Sequence, residues 1–166
     1  PNSVTSIGGD AFSYCRNLTS VTLPDSLTSI GKRTFEECSR LTSITIPDSV
    51  TSIGERAFYN CSSLTSITLP DGLTSIGDSA FCGCEALSDI VIPDGLTSIG
   101  YGTFFRCETL TSVILSEGVA AVGEGAFADC QKLAHLEVRN EKCKFGKEPF
   151  GETFPKELIG AVGQLY

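Results

Sequence analysis

Eight cysteines in a chain of 166 residues are the first candidates for chemistry. Six of them fall at a fixed interval of 23: Cys15, Cys38, Cys61, Cys84, Cys107 and Cys130. An even number of thiols in a short chain can form a disulfide framework. The even spacing opposes that here, because side chains one repeat apart point the same way and a bridge needs them to converge. The column is expected to hold reduced thiols that act as small buried hydrophobes with a weak donor. Cys82 and Cys143 lie off the column. Cys82, in the run Phe81-Cys82-Gly83-Cys84, suggests a zinc ligand, but neither a CxxC pair nor a histidine pair completes a set. Asp25, Asp48, Asp71 and Asp94 form a second column. Stacked carboxylates about 5 Å apart could hold calcium. Aspartate after proline also builds a turn by bonding its own backbone, and that is the expected role. The single histidine, His135, has acidic neighbours in Asp89 and Glu137 but no nucleophile or metal set beside it. No catalytic residue, no metal and no cofactor are expected, and the chain does not read as an enzyme.

One repeat positions all of these residues. Phenylalanine recurs at Phe12, Phe35, Phe58, Phe81, Phe104 and Phe127, and leucine at Leu18, Leu41, Leu64, Leu87, Leu110 and Leu133. A fixed period between about 20 and 50 residues marks a solenoid, each repeat one coil stacked on the next. Residues 41–63 show the coil. Leu41, Ile44 and Ile46 alternate with Ser43 and Thr45, which reads as a short strand. Pro47-Asp48-Ser49 reads as a turn, and Val50 to Ile53 as a shorter second strand ended by Gly54. That glycine recurs in every coil, so the backbone there needs either a positive φ or close packing. Phe58, Cys61 and Leu64 are spaced by three, which predicts one or two turns of 3₁₀ or single-turn helix. The fold expected is a repeat solenoid, β-rich with short helical turns: about six 23-residue coils with parallel strands.

The segments LTSITIPDSVTSIG (residues 41–54) and AFYNC (residues 57–61) resemble the BspA-type leucine-rich repeats, the Treponema pallidum class. The Pro-Asp turn, TSIG, AF and the following cysteine stay in register over six copies. The asparagine column of ordinary leucine-rich repeats is missing, and the cysteine column takes a comparable inward position. The resemblance implies a curved solenoid with a parallel sheet on its concave side. It also implies a bacterial or protozoan cell-surface or secreted protein that binds macromolecules, host matrix proteins among them.

Residues 1–138 are read as the solenoid and residues 139–166 as a degenerate seventh coil and C-terminal cap. Phe145-Gly146 and Phe150 keep phase, after which Pro149 and Pro155 interrupt the pattern. A last strand near Leu158 and Ile159 is expected to cover the open edge. The chain opens on Pro1, in phase with Pro24, Pro47, Pro70 and Pro93, which reads as a cut at a repeat boundary.

The outward rows are less regular than the inward columns. One row runs Ser20, Ser43, Ser66, Asp89, Ser112, His135, and the next runs Thr22, Thr45, Thr68, Val91, Ile114, Glu137. Val91 and Ile114 should therefore meet on the exposed sheet face, with Asp89, Ser112, His135 and Glu137 around them. An apolar centre with a polar rim is how interaction sites are built. Tyr59, Tyr101 and Phe105 are off-core aromatics and form a second, weaker candidate. The net charge of −8, with no basic stripe, argues against nucleic acid. No run of apolar residues is long enough to insert in a membrane. The expectation is a monomeric, adhesin-like interaction module, its partner a protein or host matrix macromolecule. A rigid spacer in a larger surface protein and an intracellular scaffold are the alternatives.

Overall fold

A computed structural model describes residues 3–151. Each coil has three walls. The front row of strands, from the LTSIT segments, holds β2 (Ser20–Val21), β4 (Ser43–Ile44), β7 (Asp89–Ile92), β9 (Ser112–Leu115) and β11 (His135–Val138). The side row, from the TSIG segments, holds β1 (Ser6–Ile7), β3 (Ser29–Ile30), β5 (Ser52–Ile53), β6 (Ser75–Ile76), β8 (Ser98–Ile99), β10 (Ala121–Val122) and β12 (Lys144–Phe145). All pairings are parallel and one repeat apart, as in Ile7↔Ile30↔Ile53↔Ile76. The Pro-Asp turns between the two rows close by bonds such as Val50 N–H to Pro47 O, 3.0 Å.

The third wall is not helical, contrary to the spacing of three. The N–H groups of Ala57, Tyr59 and Cys61 bond back three residues, at 3.1–3.2 Å. Those of Arg56, Phe58 and Asn60 bond forward to the carbonyls of Asp78, Ala80 and Cys82 in the next coil, at 2.8–3.0 Å. Left-handed backbone at Arg56 (φ 55) and Asn60 (φ 54) turns alternate amides outward. A helix would use its amides within one coil, whereas this ribbon of turns uses every second amide to tie coil to coil.

The core is a set of ladders. The phenylalanine rings stack from Phe12 to Phe127 with centroids 5.2–5.4 Å apart, and Phe150 extends the stack at 5.7 Å. Leu41, Leu64, Leu87 and Leu110 are fully buried beside them. All eight thiols are free, and seven are buried. Of the two explanations for the repeating glycine, close packing holds. A Cβ on Gly54 would stand 2.6 Å from Lys32 N, while its φ is not in the left-handed region.

A seam divides the stack. Among the described residues the side row forms two sheets, β1-β3-β5-β6 and β8-β10-β12, and the front row divides into β2-β4 and β7-β9-β11. At this level Asp78 Oδ1 accepts the N–H of Tyr101, 2.9 Å, and Gly100 packs against the same carboxylate. The turn wall crosses the seam, with Phe81 N–H bonded to Thr103 O at 2.9 Å. Past residue 138 the side row continues, with β12 paired to β10 in the same register. The expected strand near Leu158 and Ile159 lies outside the described residues. No helix among those described is long and apolar enough to cross a membrane.

Candidate functional site

The front row widens where its outward pattern breaks. β2 and β4 have two residues each, whereas β7, β9 and β11 have four. Proline explains the difference. Pro24, Pro47, Pro70 and Pro93 end the first four strand segments and have no N–H to give a neighbour. Ser116 and Arg139 occupy that phase in the next two coils. Ser116 donates its N–H to Ile92 O at 3.3 Å, and Arg139 to Leu115 O at 2.9 Å. These two bonds carry the ladder to full strand length. The end of the proline column after Pro93 was a signal in the sequence that the reading of side-chain rows passed over.

The wide sheet brings the six expected residues together. Its register aligns Asp89↔Ser112↔His135 and Val91↔Ile114↔Glu137. Between them Ile90, Val113 and Leu136 point inward and are buried. Strand alternation thus places the six on one outer face. Val91 is 53% exposed, Asp89 and His135 are exposed, and Ser112, Ile114 and Glu137 are half-buried. Ser88 Oγ donates to Asp89 Oδ2 at 2.7 Å, which holds that carboxylate at the rim.

Arg139 was not among the expected residues and belongs to the same face. Its Nε donates to Glu137 Oε1 at 2.8 Å, and this carboxylate raises the Arg139 pKa. Beside it is a depression of about 370 Å³ lined by Thr68, Val91, Pro93, Asp94, Ser116 and Arg139. An apolar wall at Val91 and charges of both signs at Asp94 and Arg139 can accept a side chain that is apolar at its base and polar at its tip.

The other candidates separate. Asp25, Asp48, Asp71 and Asp94 are exposed turn residues, and no group of three or more metal-binding side chains occurs among the described residues. Cys82 is buried, and desolvation raises its pKa. Tyr59, Tyr101 and Phe105 line one trough on the turn wall, away from the front row.

Parallel coils of 23 residues, an inward leucine column and an outward-facing strand row define a leucine-rich-repeat solenoid. Such folds generally serve protein interaction through their extended surfaces. The model of the BspA type leucine rich repeat region matches this chain in six copies, over residues 1–87 and 28–157, and the chain belongs to that family. Among solved structures it is similar to a leucine-rich repeat protein of T. pallidum, at 34% identity and TM-score 0.86, covering 98% of this chain and 78% of the other. A Bacteroides ovatus leucine-rich repeat protein is also 34% identical, with TM-score 0.68, 86% of this chain and 43% of the other covered. A third, from Eubacterium ventriosum, shares the fold at 23% identity and TM-score 0.70, with 83% and 45% covered. The chain thus spans less than half the length of the last two. No curated protein matches it.

Proposed function

We propose that this chain is a non-catalytic, adhesin-like interaction module that presents the outer face of β7, β9 and β11 to a protein or host matrix macromolecule. One observation carries the reading: Val91 and Ile114 are register partners at the centre of a face rimmed by Asp89, Ser112, His135 and Glu137. An apolar centre that a partner desolvates, inside a polar rim, is the usual anatomy of a hot spot. A spacer would have no use for the departure from the serine and threonine rows. The module acts as a monomer within a surface or secreted protein. Family membership supports that location, and burial of seven thiols makes it compatible with an oxidising medium.

The test is surface plasmon resonance of the chain against immobilised extracellular-matrix proteins, comparing wild type with the Val91→Asp/Ile114→Asp double variant. Both side chains reach solvent, so the variant should keep its circular dichroism spectrum and melting behaviour. Binding should fall at least about tenfold, the size of a modest hot spot. Undiminished binding by a folded variant would rule out this face.

A further inference from the structure

Arg56 shows what a cation does on the turn wall. Its guanidinium lies 4.1 Å from the centroid of the Tyr59 ring, and its Nη2 is 2.6 Å from Oε1 of Glu36, a carboxylate only 4% exposed. Cation, ring and carboxylate form one unit there. The column that supplies the cation reads Arg33, Arg56, Ser79, Gly102, Gly125, Glu148, so beyond Arg56 it loses first its charge, then its side chain, and ends on a carboxylate. The ring persists, and although Cys82 stands where Glu36 stood, two other carboxylates border the vacated place. Phe105 stands in the Tyr59 column, Tyr101 lies beside it 61% exposed, and Glu124 and Glu148 are exposed. Among the described residues neither glutamate makes an ion pair. These groups enclose a trough of about 310 Å³, with Gly102 and Ala128 at its base.

Packing does not require the missing side chain to be missing. A Cβ on Gly102 would meet Ser79 Oγ at 3.4 Å and Phe105 Cβ at 3.7 Å, both ordinary contacts, and one on Gly125 would meet nothing within 4 Å. The left-handed backbone at Gly102 (φ 55) favours glycine. Yet Arg33 (φ 54) and Arg56 (φ 55) hold the same conformation with full side chains.

We propose that this trough is a second binding site, distinct from the strand face, and that it takes a lysine or arginine side chain of a partner protein. The incoming cation would stack on Tyr101 or Phe105 and face Glu124 and Glu148, meeting the same two kinds of group that Arg56 meets in Tyr59 and Glu36, with the carboxylates supplied from the following coils. Ring quadrupole and carboxylate attract the same ligand charge, and the overall charge of −8 draws basic partners toward the chain. The trough has room for a single long side chain, not for a helix or a strand.

The experiment is NMR titration of the full chain with acetyl-Gly-Arg-Gly-amide, with acetyl-Gly-Gln-Gly-amide as the neutral probe. The arginine peptide should shift the Tyr101 and Phe105 ring resonances saturably, with a dissociation constant on the order of 1 mM. The Glu124→Gln/Glu148→Gln variant should bind about tenfold more weakly or not at all. Gly102→Arg should abolish binding by placing a guanidinium in the trough from within, and the geometry of Arg33 and Arg56 shows that the fold accepts it. Absence of saturable shifts, equal affinity for the glutamine peptide, or unchanged affinity in either variant would overturn the proposal. So would ring shifts produced by a neutral oligosaccharide such as cellohexaose and not by the arginine peptide.

Discussion

From Cys38 onward, each thiol of the cysteine column gives its hydrogen to a backbone carbonyl one coil back. Cys38 Sγ donates to Phe12 O at 3.2 Å, and Cys61, Cys84, Cys107 and Cys130 repeat the contact at 3.2–3.3 Å. The accepting carbonyl already takes the N–H of the cysteine in its own coil, as Phe35 O does from Cys38. The thiol therefore fills the second lone pair and ties neighbouring coils through the core. Such a donor has to stay protonated, and burial pushes the Cys38 pKa from an ordinary 9.0 up to about 11, with Cys61, Cys84 and Cys107 raised further. A group that holds its proton more tightly when folded contributes fully below pH 9 and loses that contribution as pH rises toward 11. Thermal melts under reductant should show a falling alkaline limb across that window, and Cys38→Ala should make the limb shallower whatever its absolute melting temperature. Alkylation gives a second readout. Cys15 is the one exposed thiol among the eight, so mass spectrometry after native alkylation should find Cys15 modified and the others intact until the chain is unfolded. Native labelling of the ladder, or an alkaline slope unchanged by Cys38→Ala, would contradict this role.

At the scale of the element, one missing N–H decides how wide a strand grows. Replacing Ser116 and Arg139 by proline returns the last coils to the phase of Pro24, Pro47, Pro70 and Pro93, whose backbone the fold already accommodates. The double variant loses the bonds to Ile92 O and Leu115 O and the Arg139–Glu137 pair. Each bond contributes about 1 kcal/mol, partly offset by a stiffer unfolded chain. Hydrogen exchange should quicken at Ile114, Leu115, Glu137 and Val138 and stay unchanged at Ala121 and Val122. Equal protection at the former would mean that side-chain propensity, not the restored donors, widens the sheet. This element also marks how far the sequence could be read. Inward columns were legible because a buried ladder repeats the same physical demand in every coil. The six candidate residues were legible as a face because a period of 23 fixes the parallel register. The turn wall was not legible. Phe58, Cys61 and Leu64 at intervals of three fit a helical turn and a ribbon of turns equally well. What separates the two is left-handed backbone at Arg56 and Asn60, and of these only asparagine favours that conformation. Gly83, Gly102 and Gly125, with Asp10 and Asp129, were the other hints in the same columns. The aromatics of the trough, Tyr59, Tyr101 and Phe105, were legible as off-core residues, but Glu124 and Glu148 were not legible beside them, since they meet only once that wall is built.

Across the whole molecule, stability is a sum over interfaces between neighbouring coils, so a coil at the end of the stack lacks half of its partners. The described part of the seventh coil supplies them. β12 pairs with β10, Phe150 covers the ring of Phe127 at 5.7 Å, and Asn140 Nδ2 donates to Val119 O at 3.0 Å. The seam near Asp78 shows that strand pairing can be interrupted while the ring stack and turn wall run on, with Phe81 and Phe104 still 5.4 Å apart. A chain cut after residue 138 exposes the Phe127 ring and the β10 edge at once. The lost aromatic burial and stacking amount to about 2–4 kcal/mol, and an unpaired parallel edge is a template for another chain. Sedimentation of the truncated chain should reveal dimers or larger species at concentrations where the full chain is monomeric, together with a lower melting temperature. A truncated chain that stays monomeric and melts with the full one would place the structural end of the solenoid at residue 138. It would leave the seventh coil free for another role.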